Sequence, residues 1–179
     1  VPCNMNLVII KYNAGNIQSV SFALERLGID FSITDQPEEI LSADKVIFPG
    51  VGEASTTMDY LRSRKLDQLI TSLKQPVLGI CLGMQLMCRH SEENDTKCLG
   101  IFNEDVKCFI PQGDMKVPHM GWNSLALTNG WLDPAIESQY AYFVHSYYVP
   151  VNSFTSAITE YIKPFSADMH RNNFYAVQF

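Results

Sequence analysis

Five residues in the middle of this chain, Gly79-Ile80-Cys81-Leu82-Gly83, have the types and spacing of a covalent-catalysis site. An apolar run, Val77–Ile80, leads into Cys81, and an apolar helical stretch, Leu82–Cys88, leads away from it. G-x-C-x-G between a strand and a helix predicts a sharp turn that lifts the central side chain out of the sheet on a strained backbone. A side chain at either glycine would crowd such a turn. Placing the thiol at a helix N-terminus favours the thiolate through free N–H groups and the helix dipole. The same position directs the Leu82 N–H toward an oxyanion. Cys3, Cys88, Cys98 and Cys108 lack this setting and read as ordinary free cysteines.

A second segment complements the first. Phe48-Pro49-Gly50-Val51-Gly52 closes another apolar run. A glycine-rich loop at the C-terminal edge of a parallel strand is where open α/β sheets bind ligands. A peptide N–H at Val51 or Gly52 could supply a second oxyanion donor beside Leu82. Gln85 follows Cys81 by one helical turn, so both can face one pocket.

The elements that must hold these residues are legible as alternation. Leu7–Ile10 reads as a buried strand, and Phe31–Thr34, Lys45–Phe48 and Val77–Ile80 read as three further strands. Asn16 can cap a helix carrying Ile17, Val20, Leu24 and Leu27, with Gly28 where it stops. A further helical stretch carries Leu61, Leu66, Leu69, Ile70 and Leu73. This order predicts an open, mostly parallel sheet of flavodoxin-like type with helices on both faces. After about residue 98 the pattern becomes antiparallel, with strands expected at 106–110, 124–127, 141–149, 156–162, 166–170 and 174–179. Arg171-Asn172-Asn173 reads as a hairpin turn. No repeat or low-complexity linker interrupts the 179 residues, so the expectation is one α/β domain over 1–179.

Composition narrows the function classes. The chain is 46% hydrophobic and 18% charged with formal net charge −6, which offers no field for nucleic acid or an anionic membrane. Five cysteines without a CxxC pair argue against a disulfide framework or a zinc site and suit a reducing, cytoplasmic setting. Ser138–Thr159 is long enough to span a bilayer, but Gln139, His145, Pro150 and Asn152 make it a run of strands.

With Met84 and Gln85 added, the Cys81 segment resembles the nucleophile motif of class I (triad-type) glutamine amidotransferases. Pro49–Gly52 and Pro118-His119-Met120-Gly121-Trp122-Asn123 are similar to segments of those amidotransferases that serve imidazole glycerol phosphate synthase. The resemblance covers nearly the whole chain. It implies that Cys81 attacks the side-chain amide of L-glutamine, forms a glutamyl thioester and releases ammonia, without a cofactor or metal. It also implies that Gly50, Gln85, Glu93 and the backbone of His145-Ser146-Tyr147 hold the substrate. Asn13, Asn16, His119, Met120, Gly121, Trp122 and Tyr142 would face a (β/α)8 cyclase subunit in a heterodimer. Ammonia would pass to that partner for ring closure in histidine biosynthesis, and ligand binding there would raise glutaminase activity through the oxyanion loop.

The family's histidine base and its orienting glutamate lie in a His-Pro-Glu segment directly after a Val-Gln-Phe strand. Ala176-Val177-Gln178-Phe179 matches that strand, so both residues fall beyond Phe179. A 179-residue species is expected to be inactive or nearly so. Among the histidines present, only His145 sits near enough to be tested as a substitute base. Lys11 and Asn13 stand where the family more often has aspartate and glycine. The residues leave other readings open: the same chemistry serving another synthase, a module without a working triad, or an unrelated cysteine hydrolase.

Overall fold

The structure, a computed structural model, describes residues 5–12, 16–128 and 130–179. The expectation at Asn13 therefore lies outside the described residues. Strands β1 (Leu7–Ile10), β2 (Phe31–Thr34), β3 (Lys45–Phe48) and β4 (Val77–Ile80) lie where the apolar runs place them. Helices α1 (Ile17–Arg26), α2 (Pro37–Ser42), α3 (Ala54–Ser63) and α4 (Leu66–Ser72) separate them, and α5 (Leu82–Met87) follows β4 directly.

The second half adds short strands β5 (His90–Ser91), β6 (Thr96–Lys97), β7 (Asp105–Cys108), β8 (His119–Ser124), β9 (Ala126–Leu127), β10 (Tyr140–His145) and β11 (Tyr147–Tyr148). The long strands β12 (Thr155–Tyr161), β13 (Lys163–Arg171) and β14 (Phe174–Val177) complete it. The main sheet runs β2-β1-β3-β4-β14-β13-β12-β9. Its β2-β1-β3-β4-β14 part is parallel, and β13, β12 and β9 extend it antiparallel. Late β14 thus inserts beside β4, the strand that leads into Cys81.

Period-two alternation fills both faces of the parallel part. Leu7, Ile9 and Ile47 pack with Leu24, Ile17 and Val20 of α1. Val8, Ile10, Val46 and Phe48 pack on the other face with Ile40 of α2, Leu61 of α3, Ile70 of α4 and Leu86 of α5. A second core, with Phe109, Leu125, Phe143 and Phe165, lies under the β8–β10 ribbon.

Four local expectations are corrected. The stretch from Leu61 to Leu73 is two helices, because Lys65 takes a left-handed conformation at φ 56°. The Asn16 side chain accepts from the Ser19 hydroxyl and caps no backbone N–H, while its own φ is 85°. Helix α2 went unanticipated although Pro37 opens it with Glu38 and Glu39 in its first turn, favourable N-terminal features. Residues 119–123, outside every expected strand, form β8, paired residue by residue with β10. The turn at Asn172-Asn173 is as expected: Arg171 pairs with Phe174, and Asn172 takes φ 55°.

Candidate active site

The Cys81 backbone is at φ 54°, ψ −111°, a strained conformation for a residue with a side chain. Three hydrogen bonds and two glycines hold it there. Cys81 N–H donates to the Val177 carbonyl at 2.8 Å, and the Cys81 carbonyl accepts from Gln85 N–H at 3.2 Å, starting α5. Leu82 N–H donates to the Gly50 carbonyl at 3.2 Å. A Cβ at Gly83 would stand 2.0 Å from the Phe48 carbonyl oxygen, and one at Gly79 would stand 3.0 Å from the Gly83 carbonyl oxygen. Gly83 is needed because α5 starts in contact with the end of β3, and Gly79 because α5 folds back on β4.

The loop after β3 is tied down on both sides. The Tyr12 hydroxyl donates to the Pro49 carbonyl, and Gly50 is pressed between Tyr12 and Leu82. Gly52 takes φ +122°. As folded, the Gly50 carbonyl occupies the Leu82 N–H that the sequence assigns to the oxyanion. Tyr12 was not singled out from sequence, and its burial and the nearby Cys81 raise its phenol well above the usual value.

Beyond the thiol lie two amides. The buried Gln85 side chain donates to the Tyr147 carbonyl at 3.1 Å and to Gln178 Oε1 at 3.0 Å. Gln178 Nε2 in turn approaches Cys81 Sγ at 3.6 Å. Gln178 was visible in the sequence only as part of a strand signature. The signal that could have found it is a polar residue in phase with buried Phe174 and Ala176.

The adjacent glutamates separate. Glu92 is exposed and pairs with Lys107 at 3.0 Å, whereas Glu93 Oε2 accepts from Ala54 N–H at 2.8 Å at the start of α3. Burial raises the Glu93 carboxyl, with Ala54 N–H opposing. Cys81, Leu82, Gln85, Glu93, Gly50 to Gly52 and His145 to Tyr147 all line one cavity of about 630 Å³, together with Asn16, Tyr142, Gln178 and Phe179. The structure therefore brings together every substrate and oxyanion position named from sequence.

The expected partner residues divide. Met120 and Trp122 are 63% and 69% exposed, and the Trp122 ring meets that of Tyr142 across the ribbon. His119 does not belong with them. Alternation along β8 turns its ring inward, to 3% exposure, so its side chain is no docking contact. His145 is likewise no spare base: Nδ1 lies 2.8 Å from the Tyr147 carbonyl and Nε2 lies 3.1 Å from His119 Nδ1.

The thiol differs from its expected state. Burial raises Cys81 above the ordinary thiol value, and the Leu82 N–H and Gln178 amide only partly offset it. Helix α5 has six residues and too little dipole to reverse this. Cys81 rests as a thiol at neutral pH, so any use of it as a nucleophile requires a base. Gln178→Leu should move the midpoint of the Cys81 alkylation-rate profile to higher pH and slow labelling at pH 8 severalfold. Iodoacetamide kinetics from pH 7 to 11 check this, and a shift to lower pH would contradict the assignment.

Comparison with known proteins meets this geometry from outside. The model of the glutamine amidotransferase class-I family matches residues 8–179. The chain belongs to the class I glutamine amidotransferases. Within that family it is 60% identical over 177 residues to the imidazole glycerol phosphate synthase subunit HisH of Bacteroides thetaiotaomicron, covering 98% of this chain and 90% of that protein. The same subunit of Vibrio cholerae is 45% identical over 182 residues, covering 97% and 89%. A crystal structure of a glutamine amidotransferase superposes with TM-score 0.74 at 16% identity, covering 96% of this chain and 88% of that one. A glutamine amidotransferase from Thermotoga maritima gives 0.65 at 14%, covering 98% and 75%, and these two likenesses speak for the fold alone. For this class I amidotransferase, the family match spans the sheet, the elbow and the cavity described above. Among the described residues, no helix is long and apolar enough to cross a membrane.

Proposed function

We propose that residues 1–179 form one glutaminase domain that supplies ammonia to imidazole glycerol phosphate synthase. The observation that carries the reading is the strained Cys81 thiol at one cavity wall, with the Gln178 amide at its sulfur and Glu93 also lining the cavity. Cys81 Sγ attacks Cδ of glutamine as a base takes the thiol proton. The tetrahedral intermediate collapses with that proton on the departing nitrogen, ammonia leaves, and water then cleaves the thioester to glutamate. Glu93 holds the substrate's ammonium, and the 145–147 backbone holds its carboxylate.

The family resemblance implies as base a histidine directly after the Val177-Gln178-Phe179 strand. Parallel pairing of β14 with β4 sets Val177 against Ile80, which brings the end of that strand to the Cys81 cavity. Catalysis also needs the Leu82 N–H released from Gly50, because loss of one oxyanion donor costs about 3–4 kcal/mol. A shift of residues 50–52 frees it. A cyclase partner drives that shift from the face that carries Met120, Trp122, Tyr140, Tyr142 and Val144, which is exposed and aromatic like an interface core.

A diazoketone analogue of glutamine should label Cys81 alone, as read by peptide mass spectrometry, and glutamine should protect it. Copurification with a (β/α)8 cyclase subunit, followed by an assay of ring closure, identifies the synthase. Labelling elsewhere, or no protection by glutamine, would refute the glutaminase reading.

A further inference from the structure

The second core holds a histidine pair that the chemistry above does not use. His119 on β8 and His145 at the end of β10 are opposite in register, and both are buried. His119 Nδ1 lies 3.1 Å from His145 Nε2. Their neighbours assign the protons. His145 Nδ1 lies 2.8 Å from the Tyr147 carbonyl, which only accepts, so this nitrogen carries a proton. His145 Nε2 is then the acceptor of a neutral ring, and His119 Nδ1 donates to it. His119 Nε2 is left to accept from the Asn123 amide at 3.5 Å, whose nitrogen also donates to the Glu160 carbonyl at 2.9 Å. One tautomer of each ring satisfies every contact. Burial supports neutrality by lowering both rings, His145 to about 4.

The chain of donors continues to the nucleophile. The Tyr147 carbonyl accepts a second hydrogen bond from Gln85, at 3.1 Å. The other Gln85 hydrogen goes to Gln178 at 3.0 Å, and Gln178 reaches the Cys81 sulfur at 3.6 Å. We propose that His119 is a positioning residue of the glutamine site. Through one N–H it fixes His145, which aims the Tyr147 carbonyl and thereby the Gln85–Gln178 amide pair at Cys81. The face of β8 opposite His119 presents Met120 and Trp122, so one strand serves both the outer surface and the relay. The inference rests on the glutaminase reading of the Cys81 cavity.

His119→Phe and His119→Asn test it. Phenylalanine keeps the stacking of this ring on Phe143 and Tyr161, at interplanar angles of 19° and 16°, but removes the donor. Asparagine puts an amide N–H near the place of Nδ1. Long-range proton–nitrogen NMR reads the His145 ring, and calorimetry reads glutamine affinity. In the unaltered protein His145 should be neutral and protonated on Nδ1. In His119→Phe its Nε2 resonance should move toward that of an unbonded nitrogen, and the glutamine Kd should rise about tenfold, the worth of one buried hydrogen bond. His119→Asn should return Kd to within about threefold. An unaltered protein with His145 protonated on Nε2 overturns the proposal even where no variant folds. So does a folded His119→Phe with unchanged Kd and spectrum, or a folded His119→Asn no better than phenylalanine. If the unaltered protein binds no glutamine, the glutaminase reading fails, and the ring spectrum still judges the relay.

Discussion

Cys81→Ala should lower glutamine hydrolysis on the order of 10⁴-fold or more, while leaving glutamine affinity within about threefold. The fold tolerates the change because the elbow is held by backbone bonds from Cys81 N–H and from its carbonyl, neither of which uses the sulfur. The main loss is one side-chain contact, with the Gln178 amide. What disappears is the thioester route, which leaves only binding and oxyanion contacts. Glutamate release should be measured with the cyclase present and the chain extended through the His-Pro-Glu segment. Ammonia-driven ring closure by the same complex should stay at the unaltered rate, which separates loss of chemistry from loss of assembly. Activity that survives Cys81→Ala would remove the nucleophile from the scheme.

The parallel half of the fold was legible because its strands are buried on both faces. Such strands read as nearly unbroken apolar runs, and β1, β3 and β4 match those runs residue for residue, while the edge strand β2 shows only alternating Phe31 and Ile33. The elbow was legible for a steric reason, since only glycine fits where α5 touches β3. The break at Lys65 was not, because a left-handed lysine carries no glycine or asparagine to announce it. Strand β8 was missed because its alternation includes Gly121 and an exposed Trp122, a composition that reads as a rigid loop.

The site was legible in its residues but not in its present bonding. Spacing from Cys81 put Gln85 in the cavity and the family resemblance added Glu93, yet nothing in a sequence says that Gln85 spends its hydrogens on Tyr147 and Gln178. Those partners lie 62 and 93 residues away, across two later crossings of the chain. The thiol's raised pKa and the Gly50 carbonyl on Leu82 N–H belong to the same class of fact. Both come from how closely the loop after β3 seats on the elbow, which depends on tertiary contact rather than on local pattern. They also agree with each other: a protonated Cys81 and a Leu82 N–H engaged by Gly50 describe a site at rest.

Gly83→Ala should be the most disruptive single methyl in the protein. The added Cβ would lie 2.0 Å from the Phe48 carbonyl oxygen, and Phe48 is fully buried in β3. No flexible side chain can yield there, so β3 and α5 must move apart. An overpacked core with shifted backbone costs about 1–3 kcal/mol, and a clash with main chain should exceed about 4 kcal/mol. Against a total stability of about 5–15 kcal/mol, this lowers the melting temperature by more than about 10 °C or abolishes folding. Gly79→Ala should cost less, because its nearest atom is the Met87 sulfur at 2.9 Å and its backbone contacts, the Gly83 carbonyl carbon and oxygen, stand at 3.0 Å rather than 2.0 Å. Gly52→Ala should cost least, about 1–2 kcal/mol, since no atom lies within 4 Å and only its φ of +122° is unfavourable. Thermal melts of the three variants check this order, and a Gly83→Ala protein melting within a few degrees of the unaltered one would contradict the close contact between β3 and α5. A folded Gly83→Ala with displaced β3 would carry residues 49–52 away from Leu82 and lose glutaminase activity with Cys81 still in place, because the nucleophile and its oxyanion loop are positioned by the same contact.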